Sequence, residues 1–171
     1  MQKDKNMKEA KKVTFEEIMF SVIAATQDTF RAYLNLEVLA GKVLEKVEPV
    51  EADVVGIVGI AGLRVGYILF AVDRATASLV AKKLLMSESA DDQSIRDSVG
   101  ELANNIAGAL KSKYSDQYGG VALGLPLIMS GKITPMESGS SDGRLNVQSH
   151  GVIIPFKSFD ADISFTVMVY I

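Results

Sequence analysis

Five apolar residues, Ile95, Val99, Leu102, Ile106 and Leu110, recur at spacings of four, three, four and four. That period places them on one face of an α-helix, predicted over about Ser94–Tyr114, and the face must lie on a core. At about 100° per residue, Asp97, Glu101, Asn104 and Gly108 then form one line on the opposite face. A carboxylate and an amide one turn apart therefore point away from the core, with bare backbone beside them. The line is unusual for a face selected only for stability. Asn104 and Asn105 are poor helix formers in mid-helix, and Gly100 and Gly108 each cost about 1 kcal/mol relative to Ala. A surface helix under no other demand carries Ala, Lys or Glu there. A helix against which something docks closely tolerates the glycines.

The chain's 171 residues suffice for one domain with a proper core, read as 13–171. Its 48% hydrophobic and 23% charged residues are ordinary for a soluble globular protein. A net charge of −3, with no long basic patch beyond the N-terminus, argues against a nucleic-acid partner. The absence of cysteine excludes disulfides, thiolate chemistry and zinc–thiolate sites. The single histidine, His150, cannot by itself make a metal cluster or a catalytic dyad, and its Ser/Gly-rich surroundings mark a loop or edge position. Residues 1–12 hold five lysines with almost nothing apolar, and are expected to be disordered. Glu16 and Glu17 interrupt any apolar run that a signal peptide would need. No segment approaches the roughly 18 apolar residues of a membrane span, so the expectation is a cytoplasmic protein without a membrane partner.

Thr14-Phe-Glu-Glu17 is a capping box, with Val13 and Ile18 placed as a hydrophobic staple. It predicts a first helix to about Leu34, with Phe15, Ile18, Met19, Val22, Ile23 and Phe30 on its apolar stripe. A strand is expected at about Glu37–Glu45. Ala52–Ile60 and Arg64–Val72 read as a hairpin. The glycines at 56, 59, 62 and 66 lead into another strand rather than a helix, so they mark bulges and close packing, not a phosphate loop. Asp73 caps a short helix over about Arg74–Met86, with Leu79, Val80 and Leu84 inward. Ser87–Asp92 is a polar linker. A strand over Val121–Met129 is interrupted at Pro126, and Ser130–Gly151 reads as the least ordered part, with Ser138–Gly143 as a loop tip. Val152–Ser158 is a strand whose Pro155 calls for an edge or a bulge. Ile163–Ile171 alternates cleanly, and as an uncharged strand it must be central or paired.

Ser21-Val22 can be laid over Ser98-Val99, and each helix precedes a strand-rich segment, which suggests a pseudo-twofold internal repeat. In that overlay Ala24 stands at the position of Glu101 and Gln27 at that of Asn104. The first helix therefore lacks the acidic member, and one complete pair exists. An exposed Glu and Asn at i and i+3 make a poor stand-alone catalyst, because no nucleophile–base pair accompanies them and nothing desolvates the carboxylate. They make sense where a partner brings the rest of the active site. The carboxylate then pairs with a partner's lysine, and the amide holds a water in line with a phosphoryl group. That is catalysis by positioning. The other reading of the same line is a plain solvated helix face.

Asp97-x3-Glu101-x2-Asn104 followed by Gly108, in the setting Val-Gly-Glu-Leu-Ala-Asn-x-Ile-Ala-Gly, resembles the signature helix of the CheC/CheX/FliY phosphatases of bacterial chemotaxis. The order of elements resembles that family from about Thr14 onward, which implies its α+β two-layer fold, with long helices on one face of a mostly antiparallel sheet. One signature, on the second long helix only, resembles CheX rather than CheC. The resemblance implies a phosphatase acting on the phosphoaspartate of a CheY-like response regulator. It implies that Glu101 contacts the regulator's active-site lysine and Asn104 orients the hydrolytic water. Mg²⁺ would then belong to the regulator, with no cofactor in this chain. Asp97 would serve helix support or docking, its alternative being a favourable acid near the helix start. Gly108 would admit the partner's backbone, its alternative being helix packing. The resemblance also implies a homodimer joined through the subunits' sheets. The rival function is a non-catalytic receiver-binding or flagellar-switch-type adaptor of the same fold.

Overall fold

The computed structural model describes residues 14–46, 48–61, 65–118, 120–134 and 151–170. In chain order the elements are α1 (Phe15–Leu34), β1 (Val38–Ala40), β2 (Val50–Ala61), β3 (Gly66–Val72), α2 (Arg74–Leu85), α3 (Asp92–Tyr118), β4 (Ala122–Leu123), β5 (Leu127–Ile133), β6 (Gly151–Ser158) and β7 (Ser164–Tyr170). The strands make one antiparallel sheet in the order β1-β6-β7-β3-β2-β4, and β5 also pairs with β2. The three helices pack on one face, so the expected α+β two-layer fold is the observed one.

Local chemistry starts α1 and α2 as the sequence predicts. Thr14 Oγ1 accepts from the Glu17 amide at 3.2 Å, and Glu17 Oε2 accepts from the Thr14 amide at 3.0 Å, which closes the capping box of α1. Asn35 ends α1 in the left-handed region at φ 50°, a conformation asparagine tolerates. Asp73 Oδ1 accepts from the Thr76 amide at 2.7 Å to start α2.

Cross-strand register decides which side chains meet the helices. Ile128, Gly56, Phe70, Val167 and Ile154 stand in one row across β5, β2, β3, β7 and β6, on the helix-covered face. The next row, Leu127, Ile57, Leu69, Met168 and Ile153, lies on the other face and feeds a second, smaller apolar cluster. The main core centres on Phe165 of β7. Its ring stacks on Phe30 of α1 at 4.4 Å and on Phe156 of β6 at 5.2 Å, and meets Phe70 of β3 edge-on at 5.1 Å.

The halves suggested by the sequence echo interlock. β3 and β7 pair at the centre, β2 and β6 flank them, and each outer strand crosses over: β1 lies on β6, while β4 and β5 lie on β2. The terminal alternating strand, β7, is therefore central, as its uncharged sequence requires.

Several expectations change. The strand expected at Glu37–Glu45 is only Val38–Ala40 plus an isolated bridge between Leu44 and Ile153. One extra residue separates those two pairings on the β1 side, a bulge opposite Pro155. Gly41 N–H donates to the Pro155 carbonyl at 2.7 Å, so the proline's hydrogen-free nitrogen falls where the ladder is already broken. β6 itself is not an edge strand. The strand expected at Val121–Met129 splits around Pro126 into β4 and β5, and β5 continues through Ser130 to Ile133, a stretch expected to lack order. On α2, Leu79 is 39% exposed, and Ala77 and Ala81 fill the inward positions beside Val80. Helix α3 is longer than predicted, because Asp91 and not a residue near Ser94 starts it: Asp91 Oδ1 accepts from the Ser94 amide at 2.8 Å. The lysine-rich start with Val13, the hairpin turn at 62–64, the loop tip at Ser138–Gly143 and His150 lie outside the described residues.

Candidate functional site

Helix α3 is held against the sheet on its inner side by small residues. A β-carbon on Gly56 of β2 would lie 3.0 Å from the Val99 carbonyl oxygen, so only glycine lets the helix approach this strand so closely. Gly100 belongs to the same seat. A β-carbon there would meet the Ile128 side chain of β5 at 3.0 Å, so this glycine serves packing and not docking. Val99, Leu102, Ala103, Ile106 and Ala107 are fully buried, and Ile95 and Leu110 nearly so. That burial fixes the rotation of the helix and with it the direction of the opposite face.

On that face Asp97 and Glu101 are exposed, while Asn104, Asn105 and Gly108 are half-buried. The structure thus brings all four sequence-predicted residues into one outward line. Gly108 differs from Gly100: among the described residues a β-carbon there would meet nothing within 4 Å beyond its own helix turn, so their packing does not require it. Asp97 lies in the second turn of α3, since the helix begins at Asp92. Its reading as a favourable first-turn acid falls, because the dipole effect fades within the first turn. That role passes to Asp91 and Asp92. The Asp91 carboxyl is held below the usual carboxylate range by the backbone N–H of Ser94, with the Ser94 side chain adding to it.

Neutral amides hold both outward carboxylates. Gln93 Nε2 donates to Asp97 Oδ1 at 2.8 Å, and Asn105 Nδ2 donates to Glu101 Oε1 at 3.3 Å. Neither carboxylate has an ion-pair partner among the described residues. Two negative charges thus stand on the outer face without a cation from the described residues.

Beside Asn104 a groove of about 400 Å³ runs between α3 and α1. Asn104, Asn105, Gly108 and Ser112 line one wall, and Asp28, Thr29, Ala32 and Tyr33 the other. Lys113 Nζ meets Asp28 Oδ2 at 3.1 Å and ties the two helices together. Tyr33 is 53% exposed on the rim. The sequence reading missed Asn105 as a partner of Glu101, although its spacing of four was the available signal. It also missed Asp28 and Tyr33, which only tertiary packing brings to the groove. On α1, Gln27 does not present its amide as Asn104 does: Gln27 Nε2 donates to the Val38 carbonyl of β1 at 3.0 Å. Among the described residues, no group of three or more His, Cys, Asp or Glu side chains is placed to hold a metal ion, and no helix is long and apolar enough to cross a membrane.

The family model described as chemotaxis phosphatase CheX matches residues 54–157, more than half the chain. The chain belongs to the CheX family. Its match spans α3 together with Gly56 of β2 and Ile128 of β5, which seat it, so the outward Glu101/Asn104 pair lies inside the shared region. A crystal structure of chemotaxis protein CheX from Desulfovibrio desulfuricans superposes with a TM-score of 0.75 at 25% identity, covering 90% of this chain and 97% of that one. The CheX–CheY–BeF3–Mg²⁺ complex from Borrelia burgdorferi matches with a TM-score of 0.67 at 25% identity, covering 88% and 95%. The FliM middle domain from H. pylori shares the fold at 10% identity and a TM-score of 0.59, covering 91% and 87%. No curated protein matches the sequence.

Proposed function

We propose that this CheX-family protein hydrolyses the phosphoaspartate of a CheY-type response regulator, presenting Glu101 and Asn104 to the regulator's active site from the outer face of α3. The observation that carries this reading is the pair itself: a carboxylate with no ion-pair partner among the described residues and an amide one turn on, aimed away from the core. The CheX–CheY complex among the structural relatives supports the choice of partner.

In the proposed mechanism Glu101 takes the regulator's active-site lysine, which sets the register of docking. The Asn104 carboxamide has one acceptor and two donors, enough to hold a water in line with phosphorus. That water attacks, the bond between phosphorus and the aspartyl oxygen breaks, and inorganic phosphate and a free carboxylate result. The water's proton leaves through phosphate or solvent, so the chain needs no base of its own, and positioning supplies the acceleration. Mg²⁺ sits with the phosphoaspartate in the regulator. Gly108 leaves room for the regulator's backbone, and Asp97 adds a second negative charge to the docking face. The protein acts as a homodimer joined through the subunits' sheets.

The test is the decay of phosphorylated regulator with and without the protein. Wild type is expected to accelerate decay, and Asn104→Ala to return it to about the regulator's own rate, a loss on the order of 10²-fold, while binding persists. Glu101→Ala is expected to weaken binding. Binding by wild type without faster decay, across several regulators, would overturn the phosphatase reading in favour of a receiver-binding adaptor. The sedimentation coefficient of the purified protein decides the dimer.

A further inference from the structure

We infer that Asn105 is a positioning residue, which holds the Glu101 carboxylate in its docking orientation before the partner arrives. The inference rests on the phosphatase reading and adds a residue to it. Glu101 is exposed on a convex helix, and a free glutamate there samples many rotamers that must be given up when its carboxylate is captured. Asn105 Nδ2 donates to Glu101 Oε1 at 3.3 Å from one turn further along α3. The bond uses one lone pair of one oxygen and leaves the remaining acceptor sites of the carboxylate open to a lysine ammonium.

The donor's chemistry matters. A lysine or arginine at position 105 would hold the carboxylate more strongly, but its charge would compete with the incoming cation. A neutral amide orients the carboxylate and leaves its full charge for the partner. Asn105 is itself half-buried at the wall of the groove between α1 and α3, so its own side chain has less freedom to wander. Asparagine is also a poor choice for mid-helix stability, and the bond to Glu101 accounts for its presence. The same device recurs one turn before Glu101, where Gln93 orients Asp97 at 2.8 Å.

The experiment is a double-mutant cycle on the full chain: wild type, Asn105→Ala, Glu101→Ala and the double variant. Each is titrated against the receiver domain that wild type dephosphorylates, loaded with beryllofluoride and Mg²⁺, and KM and kcat are measured on the phosphorylated form. Ala is the better helix former, so Asn105→Ala raises helix stability and any loss of affinity is not loss of fold. The expected result is a Kd and KM raised about threefold with kcat unchanged, and no further change when Asn105→Ala is added to Glu101→Ala. Equal effects in both backgrounds, an unchanged Kd, or a fall in kcat alone would each overturn the inference. In the free protein, the side-chain amide protons of Asn105 are expected to shift in Glu101→Ala; no shift also overturns it. If wild type accelerates the decay of no receiver, the phosphatase reading fails by itself, and the amide signal still decides whether Asn105 holds Glu101.

Discussion

Gly56 of β2 and Ala103 of α3 approach so closely that a β-carbon on Gly56 would lie 2.8 Å from that of Ala103. This is the point at which the sheet sets the height of the helix that carries Glu101 and Asn104. Gly56→Val is expected to force the two apart and to destabilise the fold by about 1–3 kcal/mol. Urea unfolding checks this, and Ala103→Gly in the same chain is expected to recover part of the loss. Full stability in Gly56→Val would show that the helix rides more loosely than this contact implies.

Gly108 allows stability and docking to be separated. Beyond its own helix turn, no described residue lies within 4 Å of where its β-carbon would be. Gly108→Ala is therefore expected to raise stability by about 0.5–1 kcal/mol. Gly108→Leu, on the proposed function, is expected to lower affinity for the receiver without lowering the melting temperature. A Leu variant that binds as tightly as wild type would remove Gly108 from the docking face.

The position on α1 equivalent to Asn104 is committed elsewhere. Gln27 donates to the Val38 carbonyl at 3.0 Å, a contact the shorter asparagine cannot reach from the same backbone. The double change Ala24→Glu, Gln27→Asn copies the α3 pair onto α1. It is expected not to restore activity to Asn104→Ala, and to cost about 1 kcal/mol from the released carbonyl. Restored phosphatase activity would show that the first helix retains a usable site.

Asp91 gives α3 a pH dependence of known sign. Its folded carboxyl is held below the usual range by the Ser94 backbone N–H. A group with a lowered folded value contributes stability above its unfolded value, and loses that contribution as pH falls through the folded one. Asp91→Ala is thus expected to melt at a lower temperature than wild type at pH 7. The two melting temperatures should converge as pH drops below the ordinary carboxylate range. A gap that persists at the lowest pH would assign Asp91 a role other than its charge.

How much of this was legible beforehand depends on the range of the interaction involved. The capping box of α1, the Asp73 cap of α2, the 3.6-residue stripe of α3 and the alternation of β7 are local patterns, and each appears where the sequence placed it. The outward line of Asp97, Glu101, Asn104 and Gly108 follows from the stripe alone, since burial of one face fixes the other. The role of Gly100 was misread because Ile128 lies on a strand distant in sequence. The three-residue β1 and the bulge facing Pro155 depend on where β6 lands, which no local pattern records. The groove was invisible for the same reason, because Asp28 and Tyr33 reach Asn104 only through the packing of α1 on α3. The start of α3 was missed by a simpler cause: Asp91 and Asp92 close a polar stretch that was read whole as linker.

The crossed outer strands make the chain a clasp. β1 closes over β6, and β5 closes over β2, so each half is fastened by a strand from the other. A cut in the linker at Ser87–Asp91 would leave two fragments, each lacking the strand that shields its edge and each exposing its half of the Phe30–Phe165 stack. Such fragments should find one another before either becomes orderly on its own. The seat of α3 is thus inseparable from the half of the molecule that lacks the Glu101/Asn104 pair.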